Sequence, residues 1–298
     1  MEMKLKPLDE QVIVITGASS GIGLATAQDA AQAGARLVLA ARSEARLAEI
    51  VDSINEEGGE AIYVVADVGR KDDVRRVADA AVDRFGRIDT WVNDAGVAIY
   101  GRLDEVNDAD SRRLFDTNFW GVVYGSLAAL PHLKRNGGAL INLGSEVSDA
   151  VLPLQGMYSA SKHAVKGFTD ALRIEANGLD DAPVAITLIQ PTAVNTPYPQ
   201  HARNYMDKEP KLPTPQIDPH RVAHAILTAA TEPTRDVKVG VMSKVSTTLA
   251  KIAPALGEKI AAKQASRQQY DQLPSRDPAG ALWHASGGGD IYGHRPTT

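Results

Sequence analysis

Gln11-Val12-Ile13-Val14-Ile15-Thr16-Gly17-Ala18-Ser19-Ser20-Gly21-Ile22-Gly23-Leu24 is the stretch on which the fold turns. Residues 11–16 form an unbroken apolar run of strand length, the mark of a parallel strand covered on both faces. A turn with three glycines follows, and Leu24-Ala25-Thr26-Ala27-Gln28 continues as a helix. Strand, glycine-rich turn and helix in that order make a phosphate cradle. Glycine lets the backbone approach an anion, and the free amides and positive dipole of the helix start hold its charge. The spacing is Gly-x-x-x-Gly-x-Gly, which differs from the common Gly-x-Gly-x-x-Gly of dinucleotide-binding turns.

Working outward, the pattern repeats. Gly34 closes the first helix, and Leu37–Ala41 is the second strand, ending in Ala41-Arg42-Ser43. A carboxylate at that point would meet a ribose 2′-hydroxyl; a guanidinium pairs instead with a 2′-phosphate, so the expected cofactor is NADP(H), with NAD(H) second. The bland alternative leaves Arg42 solvated ahead of a helix capped by Ser43. The third strand, Ala61–Ala66, delivers Asp67-Val68 to the edge where ligands bind in open α/β sheets, so Asp67 either contacts adenine or caps the helix over 71–85. The fourth, Ile88–Val92, leads into Asn93-Asp94-Ala95-Gly96, whose small Ala95 and Gly96 let a cofactor lie against the backbone. A helix around 109–133 carries Asn118, which taken singly is a core or capping amide. The fifth strand, Ala139–Leu143, delivers Gly144-Ser145 to the same edge. The sixth, Val184–Ile189, ends in Gln190-Pro191-Thr192-Ala193-Val194-Asn195-Thr196, and Asp236–Val241 closes the sheet.

This alternation predicts an α/β fold: a Rossmann-type, doubly wound parallel sheet in three layers with right-handed crossovers. A single catalytic domain spans 1–245, and residues 246–298 form a C-terminal extension. Within the domain the proline-rich stretch 197–219 has the composition of a lid over the pocket. In the extension, 246–272 is consistent with an amphipathic helix, and the Gly-, Pro- and Ser-rich 274–298 with a mobile tail that Trp283 and Tyr292 anchor.

Chemistry gathers in Ser145 to Lys162. Tyr158 and Lys162 are four apart and share one face of a helix. A phenol with a pKa of about 10 is a poor acid or base at neutral pH, but a cation about 4 Å away, at an effective dielectric of about 20, lowers it by roughly 3 units. Tyr158 would then serve as general acid or base, with the Ser145 hydroxyl holding a carbonyl oxygen beside it. Val147, Leu152 and Gln155, with the lid, form the expected substrate pocket, an apolar set that favours a hydrophobic substrate.

Bulk properties exclude other classes. Of 298 residues, 44% are hydrophobic and 23% charged, with a net charge of −5 and no basic run, so nothing invites nucleic acid. No apolar run approaches the roughly 20 residues of a membrane span, and the amino terminus lacks the apolar core of a signal peptide, which places the protein in the cytoplasm. The absence of cysteine removes disulfides and thiolate ligands. His220 and His224 are four apart without a zinc-protease pattern, so no metal is expected.

Taken together, Thr16-Gly17-x-x-x-Gly21-Ile22-Gly23, Asn93-x-Ala95-Gly96, Asn118, Ser145, Tyr158-x-x-x-Lys162 and Pro191 to Thr196 resemble the short-chain dehydrogenase/reductase family over roughly residues 9–242. The resemblance implies an NADP(H)-dependent oxidoreductase that moves a hydride between nicotinamide and a ketone, aldehyde or secondary alcohol. It makes Tyr158 the proton donor or acceptor, Ser145 the residue that positions the substrate oxygen, and Lys162 the partner of the nicotinamide ribose. Asn118 would hold a water in a proton relay. It puts Gly17, Ser19, Ile22 and Gly23 at the pyrophosphate, Arg42 at the 2′-phosphate, Asp67 and Val68 at adenine, Asn93 at the adenine ribose, and Val194 and Thr196 at the carboxamide. It further implies a homodimer or homotetramer built on the helices carrying Asn118 and Tyr158, which suits the broad apolar set Ala160, Ala164, Phe168, Ala171 and Leu172. The chain departs from the pattern at Asp94, Gly144 and Thr192 and in its long tail. An epimerase or dehydratase-like enzyme of the same fold, and a silent dinucleotide-sensing scaffold, are the rival functions.

Overall fold

The structure, a computed structural model, describes residues 4–285 and 289–293; the remaining residues at each terminus and at 286–288, which include part of the tail expected over 274–298, lie outside it. The main sheet has seven strands: β1 (Val12–Thr16), β2 (Arg36–Ala41), β3 (Glu60–Val65), β4 (Thr90–Asn93), β6 (Gly138–Leu143), β7 (Val184–Pro191) and β9 (Asp236–Val239). They are all parallel, in the order β3-β2-β1-β4-β6-β7-β9. The chain winds outward from β1 in one direction and from β4 in the other, so the carboxyl ends of β1 and β4 flank a crevice. A two-stranded parallel sheet pairs β5 (Ile99–Tyr100) with β8 (Arg203–Asn204) and ties the stretch after Thr196 to the rim of that crevice.

The unbroken apolar run of β1 has a direct cause. Ile13 and Ile15 point into one core, with Leu37, Leu39 and Ile141, beneath α1 (Gly21–Gln32), α2 (Glu44–Glu56) and α8 (Pro219–Thr231). Val14 points into the other, with Val38, Trp91 and Leu140, beneath α3 (Lys71–Phe85), α5 (Gly121–Asn136) and α6 (Gly156–Arg173). All three β1 side chains are fully buried, each worth about 1.5–3 kcal/mol. The result is a single three-layer domain.

Three elements differ from the sequence expectation. The helix around 109–133 is α4 (Asp108–Phe115), a π turn over Asp116–Trp120, and α5; the wider turn carries Asn118. The helix expected over 246–272 is two, α9 (Val241–Ile252) and α10 (Pro254–Gln264), because Pro254 lacks an amide to continue the ladder. The closing strand stops at Val239, since Gly240, at φ 96°, turns the chain into α9. The stretch 197–219 is partly ordered: α7 (Tyr198–His201) precedes β8. Where a mobile tail was expected, residues 280–285 and 289–293 lie packed on the domain, with Leu282 fully buried. Among the described residues no helix is long and apolar enough to cross a membrane.

Candidate active site

The crevice at the β1 and β4 ends is fixed by one hydroxyl. Thr16 Oγ1 donates to the Val92 carbonyl (3.3 Å) and accepts from the amides of Asp94 (3.2 Å) and Ala95 (3.3 Å). Gly17, at φ 75°, packs so closely that a Cβ there would lie 2.8 Å from the Ala95 backbone. A Cβ on Gly23 would lie 2.4 Å from the Gly17 carbonyl, so this glycine closes helix against turn and does not border the cleft.

A cleft of about 250 Å³ follows this crevice. It starts at Arg42, Asp67 and Val68, passes Gly17, Ser19, Gly21 and Ile22, crosses Ala95 and Gly96, and reaches Ser145, Tyr158 and Lys162, with Pro191, Val194 and Thr196 opposite. Val147, Leu152 and Gln155 line its inner end, joined by Tyr198, His201, Leu212 and Pro213 from the stretch after Thr196. The cleft fits a dinucleotide in kind: it runs past the glycine-rich turn at the start of α1, where the helix dipole favours an anion, and a Cβ at Gly21 would project to 3.4 Å from Thr196 across it. Among the described residues no group of acidic or histidine side chains could hold a metal ion.

Two expected site residues turn their side chains elsewhere. Asn93 is buried; its Nδ2 donates to Asn142 Oδ1 (2.8 Å) and Ser126 Oγ (3.2 Å), and its Oδ1 accepts from Trp91 Nε1 (2.8 Å). This amide braces β4, β6 and α5 instead of reaching toward a ribose. The Asn118 amide is likewise spent, accepting from the Val97 amide (2.8 Å) and donating to the Val97 carbonyl (3.0 Å) and Ser161 Oγ (3.2 Å). Thr117, its neighbour, borders the cleft.

Ser145 caps a short 3-10 turn (Glu146–Ser148), its Oγ accepting from the Val147 amide (3.2 Å), and its hydroxyl works to lower the Tyr158 pKa. Tyr198 meets Tyr158 edge-to-face at 5.4 Å, close enough for its hydroxyl to act on the Tyr158 pKa. Tyr198 Oη donates its proton to Gln155 Oε1 (2.8 Å), whose amide donates to Gln268 (2.6 Å) in the C-terminal extension. Lys162 Nζ donates to the Leu143 carbonyl (2.7 Å) and lies 5.7 Å from the Tyr158 ring centroid. Burial, not that ammonium, dominates the phenol's acidity here. Burial pushes Tyr158 up to about 12, hydrogen bonds from Ser145 and Tyr198 pull the other way, and the charges of Asp94 and Glu146 add to the rise. Burial pushes Lys162 down to about 8, opposed by Asp94. Asp94 is itself driven up to about 7 by burial, against the pull of Lys162 and the Gly23 amide.

The departures from pattern now have physical content. Asp94 does not brace the sheet, a task that Asn93 performs; it faces Lys162 within the cleft. A Cβ at Gly144 would meet Ser148 Oγ at 2.9 Å and Leu188 Cδ1 at 3.0 Å, so glycine fits where serine would crowd. Thr192 Oγ1 donates to Glu146 Oε1 (3.2 Å), and Glu146 Oε2 accepts from Ser246 Oγ on α9 (3.0 Å). Sequence reasoning missed Glu146 and Tyr198. An acid directly after Ser145 was a visible signal for the first; nothing local marked the second.

Residues 11–207 match the family model described as short chain dehydrogenase. The chain is 46% identical over 277 residues, 92% of its length and 78% of the relative's, to an uncharacterized oxidoreductase, YxnA, of Bacillus subtilis. It is 43% identical over 183 residues to 11-beta-hydroxysteroid dehydrogenase A of Sesamum indicum, covering 61% of this chain and 51% of that one; the match spans about half the length of that plant relative. Among solved structures it resembles a short-chain dehydrogenase/reductase of Burkholderia phymatum in complex with NAD (TM-score 0.76, 28% identity, 91% of this chain and 100% of that one). It also resembles an alcohol dehydrogenase of Thermococcus sibiricus complexed with 5-hydroxy-NADP (TM-score 0.67, 30% identity, 77% and 94%).

Proposed function

We propose that this chain, which belongs to the short-chain dehydrogenase/reductase family of oxidoreductases using a nicotinamide dinucleotide, is an NADP(H)-dependent enzyme that reduces a ketone or aldehyde, or in reverse oxidises a secondary alcohol. One observation carries this: Ser145, Tyr158 and Lys162 line the same cleft as the glycine-rich turn and Arg42. Arg42, with no acid beside it in Ala41-Arg42-Ser43, supports the 2′-phosphate.

Bound nicotinamide supplies or accepts the hydride at C4 of its ring. The residues of this chain manage the oxygen and its proton. Ser145 donates to the carbonyl oxygen and holds it against the phenol, and Tyr158 gives that oxygen its proton in reduction or takes it in oxidation. A phenol held at about 12 stays protonated throughout the neutral range, the form that reduction requires. Lys162, whose Nζ has donors beyond the one spent on Leu143, holds the nicotinamide ribose. Asn118, its side chain spent on Val97 and Ser161, takes part only through its backbone. Val147, Leu152, Leu212 and Pro213 present an apolar surface, with Gln155 and Tyr198 as its polar points, a pocket for a bulky apolar carbonyl compound.

Exposed Trp120, Leu127, Ile174 and Leu179, on or next to α5 and α6, support self-association through that face as a dimer or tetramer. The deciding experiment is a panel of aromatic, alicyclic and steroid ketones and aldehydes, followed by NADPH absorbance. A purified, folded chain that oxidises neither NADPH nor NADH with any of them would sink the oxidoreductase reading.

A further inference from the structure

The C-terminal extension does not end beside the domain; it returns to the dinucleotide cleft in two described runs. In the first, Ala281 and Ala285 line the cleft. Arg42 Nη1 donates to the Leu282 carbonyl (3.2 Å) and Nη2 to that of Ala281, while Arg113 Nε, from α4, converges on the same Leu282 oxygen (3.1 Å). Arg113 also pairs with Asp67 (2.7 Å), so both guanidiniums belong to the adenosine end. Leu282 is buried among Val97, Ile99 and Leu114, and Trp283 Nε1 donates to Asp110 Oδ1 (2.7 Å). Gly280, at φ 55°, makes the bend; a Cβ there would lie 2.4 Å from the Ala202 carbonyl.

In the second run the Asp290 carbonyl accepts from the Gly21 amide (2.9 Å), at the start of α1, and Gly289 accepts from Arg46 (2.6 Å). Gly293 packs against Thr196, where a Cβ would come within 2.6 Å of its carbonyl. Tyr292 Oη donates to Asp218 (3.3 Å) at the cap of α8. The runs thus fasten to the 2′-phosphate arginine, to the glycine-rich turn and to the carboxamide loop, three separate borders of one cleft.

We propose that residues 280–285 and 289–293 are a cofactor-binding element, an outer wall of the nicotinamide-dinucleotide site that Arg42 and Arg113 fasten and that governs how long the dinucleotide stays bound. The inference rests on the dinucleotide-binding reading above. The fastening argues for it: the two runs are tied to Arg42, to the Gly21 amide and against Thr196, so a dinucleotide lying along that cleft is released as these ties part, and affinity is set through its dissociation rate.

The test uses the full chain. Fluorescence titration first establishes NADPH and NADH binding by the parent; binding of neither overturns the functional reading and the wall with it. Dissociation of NADPH is then followed by stopped-flow chase in Gly280→Val, which cannot keep the bend, and in Trp283→Ala, which loses the Asp110 contact. Release at least tenfold faster in a variant with parental circular dichroism is expected; release at the parental rate in a folded variant overturns the wall alone. A readout needing no variant is chymotryptic cleavage after Trp283 in the parent. Saturating NADPH is expected to slow it about tenfold. Unchanged cleavage, or faster cleavage because the dinucleotide displaces these residues, also overturns the wall.

Discussion

Lys162 Nζ lies over the Tyr158 ring, 5.7 Å from its centroid, and donates to the Leu143 carbonyl at 2.7 Å. Four-residue spacing puts two side chains on one helical face, but it does not say which atoms meet. Here the ammonium lies over the ring and feels the charge of Asp94, while the Ser145 and Tyr198 hydroxyls act on the phenol itself. The acid is thus tuned first by burial, with the two hydroxyls opposing it.

Tyr158→Phe is expected to lower kcat by about 10²- to 10⁴-fold and to leave NADPH affinity within about threefold. Steady-state kinetics and fluorescence titration check the two halves; parental turnover would assign the proton to another group.

Tyr198→Phe removes a hydrogen bond that lowers the Tyr158 pKa. In alcohol oxidation the phenol must lose its proton, so the acidic limb of the kcat profile moves to higher pH. A profile unmoved by the substitution would confine Tyr198 to packing.

Asp94 gives a stability signature with a definite sign. Its folded pKa, about 7, lies above the 3.8 of a free aspartate, so between those values the native state binds more protons than the unfolded one. Stability therefore falls as pH rises through this window. Asp94→Asn removes the fall, and is expected to gain about 1–3 kcal/mol relative to the parent at pH 8 compared with pH 5. Urea unfolding at the two pH values measures it; equal differences at both would place the proton elsewhere.

Arg42→Ala is expected to weaken NADPH about 10- to 100-fold, the loss of a charge-assisted pair. NADH should weaken less, because it loses only the fastening to Ala281 and Leu282. Titration with both dinucleotides decides, and equal losses would remove the 2′-phosphate from this residue.

Asn93→Ala leaves Trp91 Nε1 and Asn142 Oδ1 buried without their partner. The expected cost is about 2–4 kcal/mol, read from urea midpoints; a cost below about 0.5 kcal/mol would mean that the brace is dispensable.

Much of this was legible in residues 11–24. An apolar run with no alternation requires cover on both faces, and Ile13 and Val14 indeed enter opposite cores. Gly17 and Gly23 are needed where backbone meets backbone, so a local pattern carried the cleft. The Pro254 break was also written in the sequence, but the broader amphipathic pattern obscured it, and α10 buries none of its residues. Other features were not local at all. The Asn93 brace draws on Trp91, Ser126 and Asn142, and its direction is set by packing under β4. Tyr198 reaches Tyr158 because β5 and β8 pair across about a hundred positions. The Gly-, Pro- and Ser-rich composition of the tail pointed to solvent; Leu282 alone, an apolar residue with no periodic company, gave no sign of the cavity that it fills.

The contact between Arg42 and Ala281 spans 239 positions, and this distance imposes an order of manufacture. Every strand of the main sheet has left the ribosome's catalytic centre by Val239, whereas residues 281–293 follow later, by about 2 to 11 s at the usual 5–20 residues per second. A nascent chain can complete its sheet and its glycine-rich turn while one side of the cleft is still open. Residues 281–285 and 289–293 then cover a cleft that earlier-made residues have already shaped.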